Sequence, residues 1–435
     1  MPCWNDIDPR VGVAYDLFGN GRTAVKVHLG KYLEGAGVSN NWANSNPTLR
    51  MPTTTGTFGT PGVTRAWTDA NANFQPDCDL LNPNAQDLRG SGGDLCGAIS
   101  NLNFGKYILT NNYDPALLTG WGVRSSDWSL GASIQQQILP RASIEVAYSR
   151  RWYHGFTLTD NLVVQASDYT PFSITAPLDP RLPGGGGYTI SGLYDVAPSR
   201  FGQINNLITD SGTYGNWYQY FNGLDVTLNV RTRAGWTFQG GTSTGQTVAD
   251  NCEVSANLPE LNVNIGAGLV TSAVRASTLN NSATNPVSPY CHVGYGMKTQ
   301  LRGLSAYTIP KIDVQFSGVF QSKVGALLGA NYAVPSAVVA QSIGRPPAGN
   351  LPNVTVNLVA PGSMYGDRLN QLDFRIAKIL RYGRTRTMIG VDLYNALNSS
   401  AVLTYNNTFV PGGTWLQPVT VLTGRLTKIS AELTF

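Results

Sequence analysis

The sequence predicts an all-β fold, the strands of an antiparallel transmembrane β-barrel, and three observations carry that prediction. Apolar and polar residues alternate with period two along many short segments. These segments come in pairs around very short turns, and long polar connections separate the pairs. Charged residues are only 13% of the 435, while Gly numbers 48 and aromatics are 10%. Successive strand residues point to opposite faces, so period two marks a strand with unlike surroundings on its two sides. Soluble domains usually carry roughly a quarter charged residues. The shortfall, with abundant Gly, Asn and Thr, suits strands and polar loops rather than a helical enzyme.

The elements follow in order. Val11, Val13, Tyr15 and Leu17 alternate with Gly12, Ala14 and Asp16, turn at Phe18-Gly19-Asn20-Gly21, and continue as Val25, Val27, Leu29 against Lys26, His28, Gly30. Gly and Asn tolerate the positive φ that such a turn needs. A second pair holds Trp128, Leu130, Ala132 and Ile134, turns at Leu139-Pro140-Arg141, and resumes with Ile144, Val146 and Tyr148. A third sets Leu224, Val226, Leu228 and Val230 against Asp225, Thr227, Asn229 and Arg231, turns at Ala234-Gly235 and continues through Trp236 and Phe238. In the fourth, a strand over 299–308 turns at Pro310, and Ile312, Val314, Phe316 oppose Asp313, Gln315, Ser317. The fifth has Leu372, Phe374 and Ile376 opposite Asp373 and Arg375, turns at Tyr382-Gly383-Arg384, and continues with Ile389, Val391, Leu393 beside Asp392. The eleventh strand ends the sequence: Ile429, Leu433 and Phe435 share a face with Ala431, opposite Ser430, Glu432 and Thr434.

The connections between pairs, 34–122, 156–216, 248–297, 324–369 and 397–418, are rich in Asn, Gly, Ser, Pro and Asp. Compact domains rarely contain connections of that length. Short turns on one side and long loops on the other are the pattern of outer-membrane barrels, with short periplasmic turns and long extracellular loops. A β-sandwich would place the charged strand face in solvent, whereas a barrel places it in the lumen. Loop asymmetry and low charge favour the barrel. There is no run of 18 apolar residues and hence no transmembrane helix, although hydropathy overlooks barrel strands. A net charge of +4 spread along the chain argues against a nucleic-acid partner. The N-terminus, MPCWNDIDPRVGVAYD, has no basic region or apolar core of a signal peptide. That implies either a cytosolic protein or a chain whose front lies elsewhere.

Cys78 and Cys96 fall in one polar loop, and Cys252 and Cys291 bracket another. With no CxxC pair, they read as two disulfides in an oxidising compartment rather than as zinc ligands, and Cys3 is left over. The run Asp69, Asn71, Asn73, Asp77, Asp79 alternates oxygen donors, as a calcium loop does. The bidentate Glu of an EF-hand is missing, since Leu80 stands at the twelfth place; the plainer alternative is a polar turn stapled by Cys78. Gly184 to Gly187 lack a following Lys-Ser/Thr and read as a flexible loop tip rather than a phosphate loop. His28, His154 and His292 are scattered, and no nucleophile motif accompanies them, so no catalytic residues are assigned and no cofactor is required. Arg150-Arg151-Trp152-Tyr153 and Trp217, Tyr218, Tyr220 and Phe221 suit an interfacial aromatic girdle or, alternatively, stacking on a ligand.

The segments DPRVGVAYDLFGNGRTAVKVHLGKYL, GLDVTLNVRTRAGWTFQGGTSTGQTVADNCEV and GSMYGDRLNQLDFRIAKILRYGRTRTMIGVDLYNALNSSAVLTYNNTF, with the ending ISAELTF, resemble TonB-dependent receptors of the Oar-like, carboxypeptidase-regulatory-like type. The resemblance spans nearly all of residues 1–435, which read as one barrel domain. It implies a 22-stranded barrel plugged by an N-terminal domain, with the terminal strand carrying Ile429, Leu433 and Phe435 read by the β-barrel assembly machinery. The sequence departs from the family at its front: it has no TonB box, plug or regulatory domain, and half the strands. Its first and eleventh strands both descend, so closing them on each other would pair them in parallel, which bacterial single-chain barrels avoid. The expectation is therefore the C-terminal half of a larger barrel.

The function so implied is outer-membrane uptake of a large or scarce substrate, with outer-membrane lipid as surroundings and a TonB complex engaged only through a more N-terminal region. The alternative from another class is a secreted or surface β-sandwich adhesin that binds through its loops.

Overall fold

The computed structural model describes residues 3–34, 65–82, 84–99, 112–200, 206–259, 289–348, 353–383 and 385–434. The chain is mostly β, with few short helices, and divides into two compact units. The larger unit comprises Asp6–Glu34, Arg124–Asn205 and Thr209–Phe435. It contains a meander of eleven long strands: β1 (Arg10–Asp16), β2 (Thr23–Leu33), β3 (Ser126–Leu139), β4 (Ala142–His154), β5 (Tyr218–Arg231), β6 (Trp236–Asp250), β7 (Lys298–Ile309), β8 (Val314–Lys323), β9 (Leu369–Tyr382), β10 (Thr385–Tyr394) and β11 (Leu426–Thr434). Each pairs antiparallel with the next, and a short strand, His292–Gly294, adds to the end of β6. Among the described residues β1 and β11 pair with no strand beyond the meander.

The registers keep like faces together. One row runs Tyr15–Val25–Ile134–Val146–Val226–Thr242–Leu301 across seven strands. Another runs Phe316–Ile376–Val391–Ile429 across the last four. On the opposite face Lys26, Ser133, Ala147, Asp225, Ser243 and Gln300 line up in the same way. A slip of one residue would exchange the two faces, so the alternation in sequence fixes the pairing. Among the described residues no second sheet covers the apolar face. Its members Tyr15, Ile134, Leu301, Phe316, Ile376, Val391 and Ile429 are 40–78% exposed. Soluble monomers rarely expose a contiguous apolar surface on this scale.

One turn differs from its sequence expectation. Ile312 and Asp313 belong to the β7–β8 turn, not to a strand, and β8 starts at Val314. Lys311 and Asp313 take positive φ (76° and 49°), and the Asp313 carboxylate lies 3.8 Å from Arg381 of β9. Pro310 has no N–H to extend the ladder, so the chain reverses over several residues before pairing resumes.

The long connections of the larger unit are not merely polar. Segment Tyr169–Thr175 pairs with Thr189–Val196, and Asn331–Pro335 with Asn353–Asn357. Asn331 and Tyr332 also pair in parallel with Thr408 and Phe409. A helix, Ser336–Ile343, follows the strand Asn331–Pro335. Together they bury Phe172, Ile174, Leu193, Val334, Val339, Val356, Phe409 and Trp415 in one core. Gly184–Gly187 take four consecutive positive φ values of 62–84°. A Cβ on Gly186 would sit 2.0 Å from the Pro177 carbonyl oxygen, so the run permits a close backbone approach that no side chain would allow.

The smaller unit comprises Met1–Asn5, Gly35–Val123 and Asn206–Ile208. Within it Arg65–Thr68, Gln86–Asp87 and Leu95–Ile99 form a small sheet, and Cys3–Asn5 pairs in parallel with Thr119–Trp121.

Candidate functional site

The polar face of the meander is the strongest candidate, because strand alternation collects most of the strand charges on it. Near the middle, Lys26 Nζ of β2 donates to Gln135 Oε1 at 2.8 Å and lies 3.6 Å from Glu145 of β4, which also accepts from Ser133 Oγ at 2.9 Å. Towards the long connections, Arg151 of β4 forms a two-pronged pair with Asp127 of β3 at 2.7 and 2.8 Å. In the last strands Gln321 donates to Gln371, Gln371 to Asp373, and Arg375 lies 3.5 Å from Asp392. These cross-strand links hold ionised groups at fixed heights along a half-buried surface, where an effective dielectric below that of water strengthens them. They form a hydrogen-bonding wall suited to a polar solute and offer no nucleophile–base pairing.

Two open troughs run along this wall. One, of about 570 Å³, lies over β5–β8 and is lined by Asp225, Gln300, Arg302, Gln321 and Lys323. Leu304 and Val319 interrupt its polarity; they oppose each other on the polar face. The other, of about 620 Å³, lies at the short-turn end of β2–β6 and contains Arg22, Arg141 and Arg231. In sequence Arg231 stands out only as a strand charge, while Arg22 and Arg141 sit in two separate turns, so strand alternation does not group the three.

The loop core is fastened by two Arg–Asp pairs whose carboxylates are buried. Arg181 reaches Asp179 through Nε and Nη2 at 2.9 and 2.7 Å, while its Nη1 donates to the carbonyls of Gly413 and Trp415 at 3.0 Å each. These contacts hold the Asp179 carboxyl well below the usual carboxylate range, the Arg181 guanidinium contributing most. Arg345 pairs with Asp195, whose carboxylate also accepts from Ala348 N. Truncating one partner of such a pair strands a buried charge.

The aromatics expected at a girdle separate into two groups. Trp217 is 9% exposed and stacks on Phe156 with ring centroids 4.9 Å apart, inside a cluster with Leu158, Val254 and Val293. It is a core residue, and its position just before β5 turns it towards the loops. Trp152 stacks on Trp128 across β3–β4, and Tyr218 on Tyr220 within β5.

In the smaller unit the Asp69–Asp79 run is held by hydrogen bonds. Asp69 Oδ2 accepts from Phe74 N, Asn71 Oδ1 from Asn73 N, Asn73 Oδ1 from Gln75 N and Asp79 Oδ1 from Leu81 N. The amides of Asn71 and Asn73 donate to the Asp77 carboxylate at 2.6 and 3.2 Å. One oxygen each of Asp69, Asn71, Asn73 and Asp79 thus accepts from a nearby backbone N–H, while Asp69 Oδ1 is buried without a hydrogen-bond partner. Among the described residues no group of three or more His, Cys, Asp or Glu side chains is spaced to hold a metal ion.

The organising residue is Asp94, which sequence reasoning passed over. It is fully buried and accepts from Trp67 Nε1, Ala70 N and Asp77 N at 2.9–3.0 Å. The only signal in sequence is its place in Ser-Gly-Gly-Asp two residues before Cys96. The indole N–H first, and then the backbone N–H groups, hold its carboxyl below the usual range. A folded pKa lowered in this way contributes stability above the unfolded value of about 3.9, lost as pH falls through the folded value. Asp94→Asn is therefore expected to speed hydrogen exchange at the Ala70 and Asp77 amides at neutral pH and to abolish the acid-induced loosening of this loop. Unchanged protection would show that the carboxylate does not organise it.

Cys78 is bonded to Cys96 and Cys252 to Cys291, and Cys3 is free and exposed. Ile429 and Leu433 lie on the exposed apolar face of β11, and Phe435 falls outside the described residues.

No protein-family model matches the chain, and no curated protein matches it. Among solved structures it is similar to the outer membrane transporter YddB from Escherichia coli, with a TM-score of 0.46 and 12% identity over 98% of this chain and 40% of that one. The chain thus spans about two fifths of that protein's length.

Proposed function

We propose that the chain forms part of an outer-membrane transport barrel of the TonB-dependent receptor type. Its apolar face would meet lipid, and its polar face would line the path of a solute. The observation that carries this reading is the pair of unlike faces maintained across eleven consecutive strands, with the apolar one exposed along its length. A water-soluble sandwich would bury that face against a second sheet, whereas lipid is the environment in which it is favourable to leave it uncovered. The asymmetry of short turns and long connections adds support. The reading calls for gated passage with no covalent chemistry and no cofactor. Assembly machinery would recognise the terminal strand carrying Ile429, Leu433 and Phe435, and TonB would engage segments outside these 435 residues.

Vesicle flotation tests it. The refolded chain should float with phosphatidylcholine vesicles, resist extraction by alkaline carbonate and keep a β circular-dichroism signature only in detergent or lipid. A folded, monodisperse protein in detergent-free buffer would overturn the reading and favour the adhesin-like sandwich.

A further inference from the structure

Several cations of the polar face are matched with carboxylates: Lys26 with Glu145, Arg151 with Asp127, Arg375 with Asp392. The trough at the short-turn end gathers three arginines and, among the described residues, no carboxylate. Arg22 comes from the β1–β2 turn, Arg141 from the β3–β4 turn and Arg231 from the end of β5. Strand order brings them together: Gln137 N donates to the Arg22 carbonyl at 2.7 Å, and Arg231 N to the Arg141 carbonyl at 2.9 Å. Arg231 shares the polar face of β5 with Asn229, and Arg22 and Arg141 lie in turns immediately before β2 and β4. They line a trough of about 620 Å³ together with Gln135, Gln137, Asn229 and Gln239, and no Asp or Glu lines it. Among the described residues none of the three guanidinium groups has an ion pair. The nearest carboxylate inward along β4, Glu145, is already engaged by Lys26 and Ser133.

We propose that this trough binds an anionic group, a carboxylate, sulfate or phosphate, carried by the transported solute, with Arg22, Arg141 and Arg231 as its ligands. Guanidinium presents N–H donors in a planar fork that fits such oxyanions two at a time, and the surrounding side-chain amides supply further N–H donors. Three like charges lining one concavity repel each other, and an anion offsets that repulsion while raising its own local concentration. The inference rests on the transport reading only for the source of the anion.

Calorimetric titration of the folded chain in zwitterionic micelles with sodium pyrophosphate tests it. Binding should weaken by roughly tenfold or more in the triple variant Arg22→Gln/Arg141→Gln/Arg231→Gln. It should persist in Lys428→Gln, which removes a cation from β11, opposite Asp392 and outside either trough. Circular dichroism of each variant checks that the sheet is retained. No heat of binding to the folded chain, or equal affinity in the triple variant, overturns the proposal. Because the titration involves no membrane passage, absent binding with successful flotation removes the site alone. Binding with failed flotation removes the transport reading and leaves the site.

Discussion

Val226→Arg is expected to destabilise the folded chain in lipid by about 2–4 kcal/mol, while Thr227→Arg, one residue along, should cost at most about 1 kcal/mol. Val226 of β5 sits between Val146 and Thr242 on the apolar face, so a guanidinium there would have to be drawn into hydrocarbon. Thr227 is directly opposite Glu145 on the other face, where a new cation meets a carboxylate and the polar wall. Urea titration of vesicle-inserted protein, followed by tryptophan fluorescence, measures both. Equal tolerance at the two positions would mean that water, not lipid, covers the apolar face.

Trp415→Ala should cost the loop core about 3–5 kcal/mol while leaving the meander intact. The side chain is 1% exposed, meets the Phe409 ring edge-on at 5.0 Å, and donates its indole N–H to the Gly329 carbonyl at 2.8 Å. The Arg181 guanidinium lies 5.4 Å from its ring centre. Truncation would leave both a cavity and an unsatisfied carbonyl. The expected result is rapid protease cleavage within 169–196 and 402–421, with the strand ladder still protected against hydrogen exchange. An unchanged cleavage pattern would show that the connections hold together without this residue.

The meander was legible because period two needs no tertiary knowledge. Val11-Gly12-Val13-Ala14-Tyr15 states its own faces, and a short turn such as Phe18-Gly19-Asn20-Gly21 leaves its partner strand little choice. The loop core was not legible, and the reason is physical. Phe172 and Ile174, or Val354 and Val356, are pairs of apolar residues in short segments broken by Pro and Gly, and what they pack against lies far away in sequence. Composition recorded the Asn and Gly of these connections and not the few large side chains that become their interior. Trp217 misled for a related reason: an aromatic next to a strand suits an interface, and only the fold shows Phe156 beneath it. The three trough arginines were visible singly, but strand order makes them neighbours.

The loop core also sets an order of events as the chain folds. Arg181 is joined to the Trp415 carbonyl across 234 residues, and Tyr188 to the Leu358 carbonyl across 170. Contacts so distant along the chain form late, because long loops must close before they are rewarded. Phe172, Ile174 and Leu193 therefore emerge well before Phe409 and Trp415 exist to cover them. In that interval they are exposed apolar surface, which makes an incompletely folded chain prone to aggregate. Phe409 and Trp415 complete a core begun by Phe172 and Ile174, so a nascent chain stopped before residue 409 would keep that surface open and remain a substrate for proteolysis.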